Sequence, residues 1–331
     1  MTSIKCPVTT DIMDVPSVQG SQEEPTISHL RQNLGAIICR RYPFLSGAGS
    51  IANSGSFRKL MPDVRVDVWC PLHGGQLLAP LDDYVGRAAF YMGDLDPKLT
   101  AIASRVLRPG DVALDIGANL GVMTVLFSRL VGPAGRVLAF EPNPRVLDRT
   151  RQTTAKLSNV RLCEFALGPR PDTLQLVAPP ENLGLGSLVA SNDRQEAGHW
   201  TFGANAERVT VPVERLDDVL AREGVNAVRL VKMDVEGFEP QVLRGAERCL
   251  REIRPQVILF EMNETTPVSE HETFKLLAAA GYTFLAIPRS LLWLRLERVD
   301  LTRGGQPLWH DFVAIAPGEA GAQVAAGLPI S

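Results

Sequence analysis

From residue 110 onward, short apolar runs alternate with longer segments whose apolar positions recur every three or four residues. The first pattern suits strands buried on both faces, and the second suits amphipathic helices packed over them. Strands are predicted over 111–116, 136–141, 160–166, 209–213, 228–234 and 257–261, with helices over 120–131, 144–157, 216–223 and 239–250. A helix over 269–280, ended by Gly281, precedes two more apolar strands, 282–287 and 312–316. Such alternation predicts a mostly parallel sheet covered on both faces, with ligands at the carboxyl ends of its strands. Segment 168–208 reads as irregular. Upstream, a helix is predicted over 28–41, a Gly/Ser-rich loop over 46–56 and helices over 83–91 and 98–107. A strand at 64–69 pairs with 76–79 across His73-Gly74-Gly75. Residues 1–25 and the tail after 316 read as loose.

Composition changes this picture little. A hydrophobic content of 45% and a charged content of 21% are ordinary for a globular chain. A net charge of −3 offers no electrostatic grip on nucleic acid. The five cysteines are scattered without a CxxC pair, so neither a zinc site nor a disulfide framework is expected, and reduced thiols in a cytoplasm are the simplest reading. The N-terminal sequence does not read as a secretory signal, and no apolar run is long enough for a membrane span.

Chemistry concentrates first between Asp111 and Asn143. A strand ends near Asp115, a turn follows (Gly117-Ala118-Asn119-Leu120-Gly121), then a helix, and a second strand ends at Glu141. Glycines at a strand end admit close approach of a ligand, and the following helix presents free N–H groups to an anion. An acid ending the next strand can accept hydrogen bonds from two ribose hydroxyls. The dinucleotide pattern GxGxxG is not met, because Asn119 and Val122 occupy its second and third glycine positions. The turn therefore favours S-adenosylmethionine over a dinucleotide. The helix start would hold the methionine carboxylate, and Asp115 would face its ammonium.

A second constellation is Lys232-Met233-Asp234-Val235-Glu236-Gly237-Phe238-Glu239. Side chains alternate along a strand, so Lys232, Asp234 and Glu236 share a face at its carboxyl end. Glu261 and Asn263 end the next strand. These groups serve either as an ion-pair network or as reacting groups. Methyl transfer to a hydroxyl needs alignment of the acceptor and a general base, usually His or a carboxylate. Asp234, Glu236 and the loop residue His73 are the candidates. His29, His199, His271 and His310 have less specific settings. Asp234, Glu261 and Asn263 would suit Mg²⁺, but their spacing is a weak signal and no metal is expected.

These segments resemble the FkbM-type S-adenosylmethionine-dependent methyltransferases. The resemblance rests on LDIGANLG (114–121), GRVLAFEPNP (135–144), NVRLCEFALG (159–168), GLGSL (184–188), VERLDDVL (213–220), LVKMDVEGFEPQVLRGA (230–246) and PQVILFEMNE (255–264). It implies an α/β fold with a Rossmann-like, seven-stranded, mostly parallel sheet of the class I methyltransferase type and a reversed terminal hairpin. It also implies the cofactor S-adenosyl-L-methionine. Asp115, Gly117, Asn119 and Gly121 would then meet its methionine end, Glu141 its ribose, and Ala166 and Leu167 its adenine. Asp234 and Glu236 would sit beside the reaction centre, with Asp234 also against the cofactor. The expected organisation is an N-terminal helical/β extension, partly disordered and a candidate substrate cap (1–72), a methyltransferase domain (73–316) and a flexible tail (317–331).

The expected function is O-methylation of a small hydroxylated acceptor, with a sugar, glycoconjugate or natural-product scaffold as the acceptor class. Alternatives are methylation of a nitrogen on protein or nucleic acid, a non-catalytic binding protein of the same fold, and a dehydrogenase. Asp234-Val235-Glu236-Gly237 in place of an Asn/Asp-Pro-Pro-aromatic motif weighs against exocyclic amino groups.

Overall fold

The computed structural model describes residues 27–40, 44–178, 186–189, 206–262, 266–302 and 310–331. Three helices come first: α1 (Ile27–Cys39), α2 (Ala48–Ala52) and α3 (Gly55–Leu60). The expected Gly/Ser-rich loop is thus largely helical. Ser54 caps α3 by accepting from the Phe57 N–H, and small residues of α2 bury where bulky ones would not fit. Strands β1 (Asp67–Leu72) and β2 (Gly75–Pro80) form an antiparallel hairpin. Its two central residues, His73 (φ 50°) and Gly74 (φ 79°), both take left-handed backbone, as a tight hairpin turn requires. Helices α4 (Tyr84–Met92) and α5 (Pro97–Val106) each start at an aspartate whose carboxylate accepts two backbone N–H groups.

The N-terminal segment and the main domain share a core. Ala36, Ala52, Val68, Phe90 and Tyr91 pack with Leu120, Val122 and Val146. Arg87 is fully buried and donates to the carbonyls of Ala52, Leu81 and Met61, with Asp63 at 2.8 Å. A buried guanidinium is tolerable only with its donors satisfied in this way. The boundary expected at residue 72 coincides with the last residue of β1, which pairs with Gly75 across the hairpin turn.

The main sheet then forms. Strand β3 (Val112–Ile116), helix α6 (Val122–Val131), β4 (Arg136–Phe140), α7 (Pro144–Thr154) and β5 (Val160–Cys163) follow in βαβ order. The chain next builds a second sheet from β6 (Ala166–Leu167), β7 (Asp172–Ala178), β8 (Ser187–Val189) and β9 (Glu207–Glu214). The strand predicted over 160–166 therefore divides between two sheets, and the segment predicted as irregular contains β7 and β8. Residues 184 and 185 of the GLGSL motif lie outside the described residues. Helix α8 (Leu216–Arg222), β10 (Leu230–Met233), α9 (Glu239–Arg244), a single π-helical turn (Cys249–Ile253) and β11 (Val257–Glu261) return to the main sheet. Helix α10 (Glu272–Ala279), β12 (Thr283–Ala286), β13 (Glu297–Arg298), β14 (Asp311–Ile315) and α11 (Glu319–Ala326) finish the chain.

Strand order is β13-β12-β14-β11-β10-β3-β4-β5. Strands β11, β10, β3, β4 and β5 run parallel, while β14 enters antiparallel between β11 and β12. This is the expected seven-stranded sheet with its reversed hairpin, extended by the two-residue β13 at one edge. Alternation along each strand feeds two cores. Leu114, Leu138, Val231 and Ile258 enter one face, while Ala113, Val137, Leu230 and Val257 enter the other.

The tail expected to be flexible is folded. Val324 and Leu328 bury in the second of these cores, and Ile330 bridges to Leu296. Leu328→Ala is therefore expected to destabilise the protein by about 2–3 kcal/mol in urea unfolding. A change within about 0.5 kcal/mol would instead mean a tail that does not pack.

Candidate active site

The turn after β3 is knitted to the end of β4. The N–H groups of Gly117 and Ala118 both donate to the Phe140 carbonyl, at 3.0 and 2.9 Å. Gly117 has φ 79°, and a Cβ there would lie 1.9 Å from the Asp234 carbonyl oxygen. Glycine is needed at this position to admit another strand's backbone, rather than only a ligand. Asn119 also takes left-handed backbone (φ 53°), which Asn tolerates better than most residues. Gly121 (φ 94°) opens α6 and does not reach the cavity over the strand ends.

Glu141 ties the two turns together. Its carboxylate accepts from the Asn119 N–H at 2.7 Å and from the Asn143 N–H at 2.8 Å. Burial pushes its pKa up to about 7, against the pull of those two N–H groups and Lys232. Each oxygen keeps a lone pair for a further donor.

Beneath the turn, Asp115 is fully buried and accepts from the Thr124 hydroxyl. Its neighbour in register on β10 is Lys232. The Lys232 ammonium donates to the Gly117 carbonyl at 2.8 Å and lies 3.8 Å from Asp115 and 3.3 Å from Asp234. Burial would lower the Lys232 pKa, but Asp234 and Asp115 outweigh it and hold the amine above its usual value. Asp115 itself is pushed up by burial. Its Oδ1 has no hydrogen-bond partner among the described residues. Asp115 thus supports the floor from below and does not line the cavity.

A cavity of about 870 Å³ opens over these strand ends. One end is apolar, walled by Phe140, Phe165, Ala166, Leu167 and Leu188. Gly117, Asn119 and Glu141 line the middle. The other end carries Asp96, Asp234, Glu236, Glu261 and Asp311, with Lys98, Arg289 and His310. Asp234 and Glu236 both line this end, but on the turn after β10 rather than by alternation along an extended strand, because the strand stops at Met233. Glu236 holds left-handed backbone (φ 53°), with its carbonyl accepting from the Ser187 hydroxyl at 3.1 Å. Strain of this kind persists where surrounding structure over-determines it. Glu239 sits behind the wall and accepts from the N–H groups of Val235 (3.1 Å) and Gly237 (3.4 Å). Its role is to hold the turn that carries Asp234 and Glu236, and burial pushes its pKa up to about 7.

His73 is not brought to the cavity. It is a turn residue of the β1–β2 hairpin, and its neighbours Gly74 and Gly75 press on Arg129 and Val125 of α6. Its Nε2 lies 3.8 Å from Asp94, and burial lowers its pKa. His271 caps α10, His199 and Asn263 lie outside the described residues, and no side-chain position is described for His29. His310 lines the wall instead. Among the described residues no group of three His, Cys, Asp or Glu side chains is arranged for a metal ion.

Sequence reasoning missed Asp96, Lys98 and Asp311, and it set His310 aside. The Lys98 ammonium lies 2.8 Å from Asp311 and 3.4 Å from Asp96. Asp311 reaches the wall only because β14 enters antiparallel beside β11, opposite Glu261. Asp96 had a local signal as an N-cap before Pro97, but nothing in that signal points to a cavity.

Residues 115–284, about half of the chain, match the family described as the methyltransferase FkbM domain. The chain belongs to the FkbM methyltransferase family. Among curated relatives, the 31-O-demethyl-FK506 methyltransferase FkbM of Streptomyces tacrolimicus is 34% identical over 161 residues, covering 43% of this chain and 61% of that protein. The 2-O-methyltransferase NoeI of Sinorhizobium fredii is 31% identical over 160 residues, covering 46% and 64%. The chain thus spans somewhat less than two thirds of these relatives' length. A solved methyltransferase FkbM from Methylobacillus flagellatus aligns with 70% of this chain and 53% of its own, at 15% identity and a TM-score of 0.35. Among the described residues no helix is long and apolar enough to cross a membrane.

The cofactor of this FkbM family protein is S-adenosyl-L-methionine. The cavity suits it: an apolar slot for a purine, a carboxylate with spare lone pairs for ribose hydroxyls, and the first turn of α6, where Val122 and Met123 reach the wall, for a carboxylate.

Glu239 makes stability depend on pH. Its folded pKa is raised from 4.5 to about 7, so the native state holds the proton more tightly than the unfolded chain. The stability this contributes is complete below pH 4.5 and is lost as pH rises through about 7, at most about 3 kcal/mol. Glu239→Gln is expected to flatten the fall in Tm over that range. Glu141, Asp96, Asp115 and Glu261, whose pKa values burial also raises, carry the remaining slope. Identical slopes in variant and parent would contradict the burial argument.

Proposed function

We propose that this chain is an S-adenosylmethionine-dependent O-methyltransferase acting on a hydroxyl of a small molecule, with a sugar or natural-product scaffold as the acceptor class. The observation that carries this reading is the placement of Asp234. It is the first residue after β10, at the cavity wall between the turn expected to meet the methionine end and the acid-lined end, with the Lys232 ammonium at 3.3 Å. The names of the two relatives, one a 31-O-demethyl-FK506 methyltransferase and the other a 2-O-methyltransferase, support transfer to oxygen. A hexuronic acid methyltransferase of Haloferax volcanii, 25% identical over 144 residues, supports a sugar.

When bound, the cofactor supplies an electrophilic methyl carbon on a sulfonium. Glu141 would accept hydrogen bonds from the ribose hydroxyls, while Ala166, Leu167 and Phe165 would enclose the base. The turn from Gly117 to Asn119 fixes the methionine end. Asp234 would accept the proton that the acceptor hydroxyl loses as its oxygen takes the methyl group and the carbon–sulfur bond breaks to leave a neutral thioether, and Lys232 holds the carboxylate in place. Glu236 contacts the acceptor from the neighbouring turn. A hydroxyl proton needs such a base because a neutral alcohol is a poor nucleophile.

Calorimetric titration tests the cofactor first. S-adenosylhomocysteine is expected to bind and NAD is not; the reverse result would overturn the reading. Glu141→Ala is expected to weaken S-adenosylhomocysteine binding by about 1.5–3 kcal/mol, since ribose hydroxyls would lose a charged acceptor. Unchanged affinity would remove the ribose assignment. Asp234→Asn is expected to bind S-adenosylhomocysteine nearly as well as the parent and to lose turnover by about 10²-fold or more. A fully active variant would exclude Asp234 as the base.

A further inference from the structure

Glu261 is the last residue of β11 and lines the same cavity. Its partner in register on one side is Asp311 of β14. On the other side the parallel pairing aligns Met233 with Phe260, so the next position places Asp234 beside Glu261. Neighbouring strands lie about 4.8 Å apart, so Glu261 has an acid at close range on each side.

The two neighbours each have a cation. Asp234 has Lys232 at 3.3 Å, and Asp311 has Lys98 at 2.8 Å. The Glu261 side chain has no hydrogen bond and no ion pair among the described residues. Around it stand Asp234 and Glu236 from the turn after β10, Asp311 from β14, and Lys232 from β10. Asp96 and Lys98 of α5, Arg289 and His310 line the remaining sides of this end of the cavity. Burial and the surrounding acids push the Glu261 pKa far above the carboxyl range, with Lys232 opposing. A carboxyl in that state carries an O–H donor as well as acceptor lone pairs, whereas an ionised carboxylate only accepts.

We propose that Glu261 is a positioning residue for the acceptor, donating a hydrogen bond as a neutral acid to the oxygen adjacent to the hydroxyl held by Asp234, so that the acceptor presents a neutral vicinal diol. This rests on the O-methyltransferase reading. One hydroxyl donates to Asp234 and is methylated, while its neighbour accepts from Glu261. Glu261 ends β11 and Asp234 follows the end of the neighbouring β10, and both line one cavity. A carboxylate or phosphate at the neighbouring position would meet the surrounding acids and be repelled.

Two measurements on the full chain test this. The first is infrared difference spectroscopy at neutral pH, parent minus Glu261→Gln. A protonated-carboxyl C=O band present in the parent and missing in the variant is expected. A difference confined to carboxylate bands overturns the proposal, whatever the cofactor turns out to be. The second is ligand-observed NMR on the S-adenosylhomocysteine-loaded protein, with trans-1,2-cyclohexanediol and cyclohexanol as probes. The diol is expected to bind about tenfold more tightly than the mono-ol, as a hydrogen bond to a buried acid provides. Glu261→Ala should abolish that preference, and Glu261→Gln, which also donates, should keep most of it. Equal or absent binding of the two probes, or a preference that survives in Glu261→Ala, overturns the proposal. Failure of S-adenosylhomocysteine itself to bind would count against the methyltransferase reading, and the infrared result would still decide the state of Glu261.

Discussion

The floor of the cavity depends on one buried ammonium. Lys232 comes from the middle of an otherwise apolar strand and lies between the carboxylates of Asp115 and Asp234 while donating to the Gly117 carbonyl. Each group is costly to bury alone, and each is tolerable with the others present. Removing the amine would leave two acids at the ends of adjacent strands with nothing between them. The turn after β3, the end of β10 and the loop after it are therefore fixed relative to one another by a single charge. The close approach of Gly117 to the Asp234 carbonyl, which no side chain at residue 117 would permit, makes that arrangement tighter still.

From this floor the walls rise with graded polarity. Glu141 and Glu239 work as staples, each holding two backbone N–H groups of a turn. Burial raises both pKa values, which is the cost of using carboxylates as structural clips. At the far end acids outnumber bases, and Lys98 and Lys232 are already engaged with their partners. That imbalance suits the hydroxyl donors of a neutral acceptor better than a phosphate. The N-terminal helices complete the enclosure: Tyr84, Asp96 and Lys98 reach the cavity from a segment that shares its core with the main sheet.

The two motifs at the strand ends were legible because their chemistry is local. Asp234 and Glu236 share a wall because the turn after β10, with Glu236 in left-handed backbone, carries both to the cavity, and Glu141 follows its strand at the offset that spans one βαβ unit. Local signals misled where a different contact decided the outcome. The glycine at 117 spares a carbonyl of the protein itself. His73 has the composition of a mobile loop but occupies a tight turn packed on α6. The tail after residue 316 has small residues and little periodicity, yet Val324 and Leu328 find a hydrophobic surface that only the finished sheet provides.

The sequence by itself determined the seven main-sheet strands and the helices between them, the mostly parallel character of that sheet and the positions of the strand-end acids. These depend on hydrophobic period and on residues close together in the chain. The tertiary structure alone decided which acids share a cation, which are stapled to backbone and which stand unpaired. Asp311 meets Glu261 because β14 enters antiparallel beside β11, and Lys98 meets Asp311 across 213 residues of chain. Charge and protonation at the site follow from distances between such remote residues, and those distances exist only once the chain has folded.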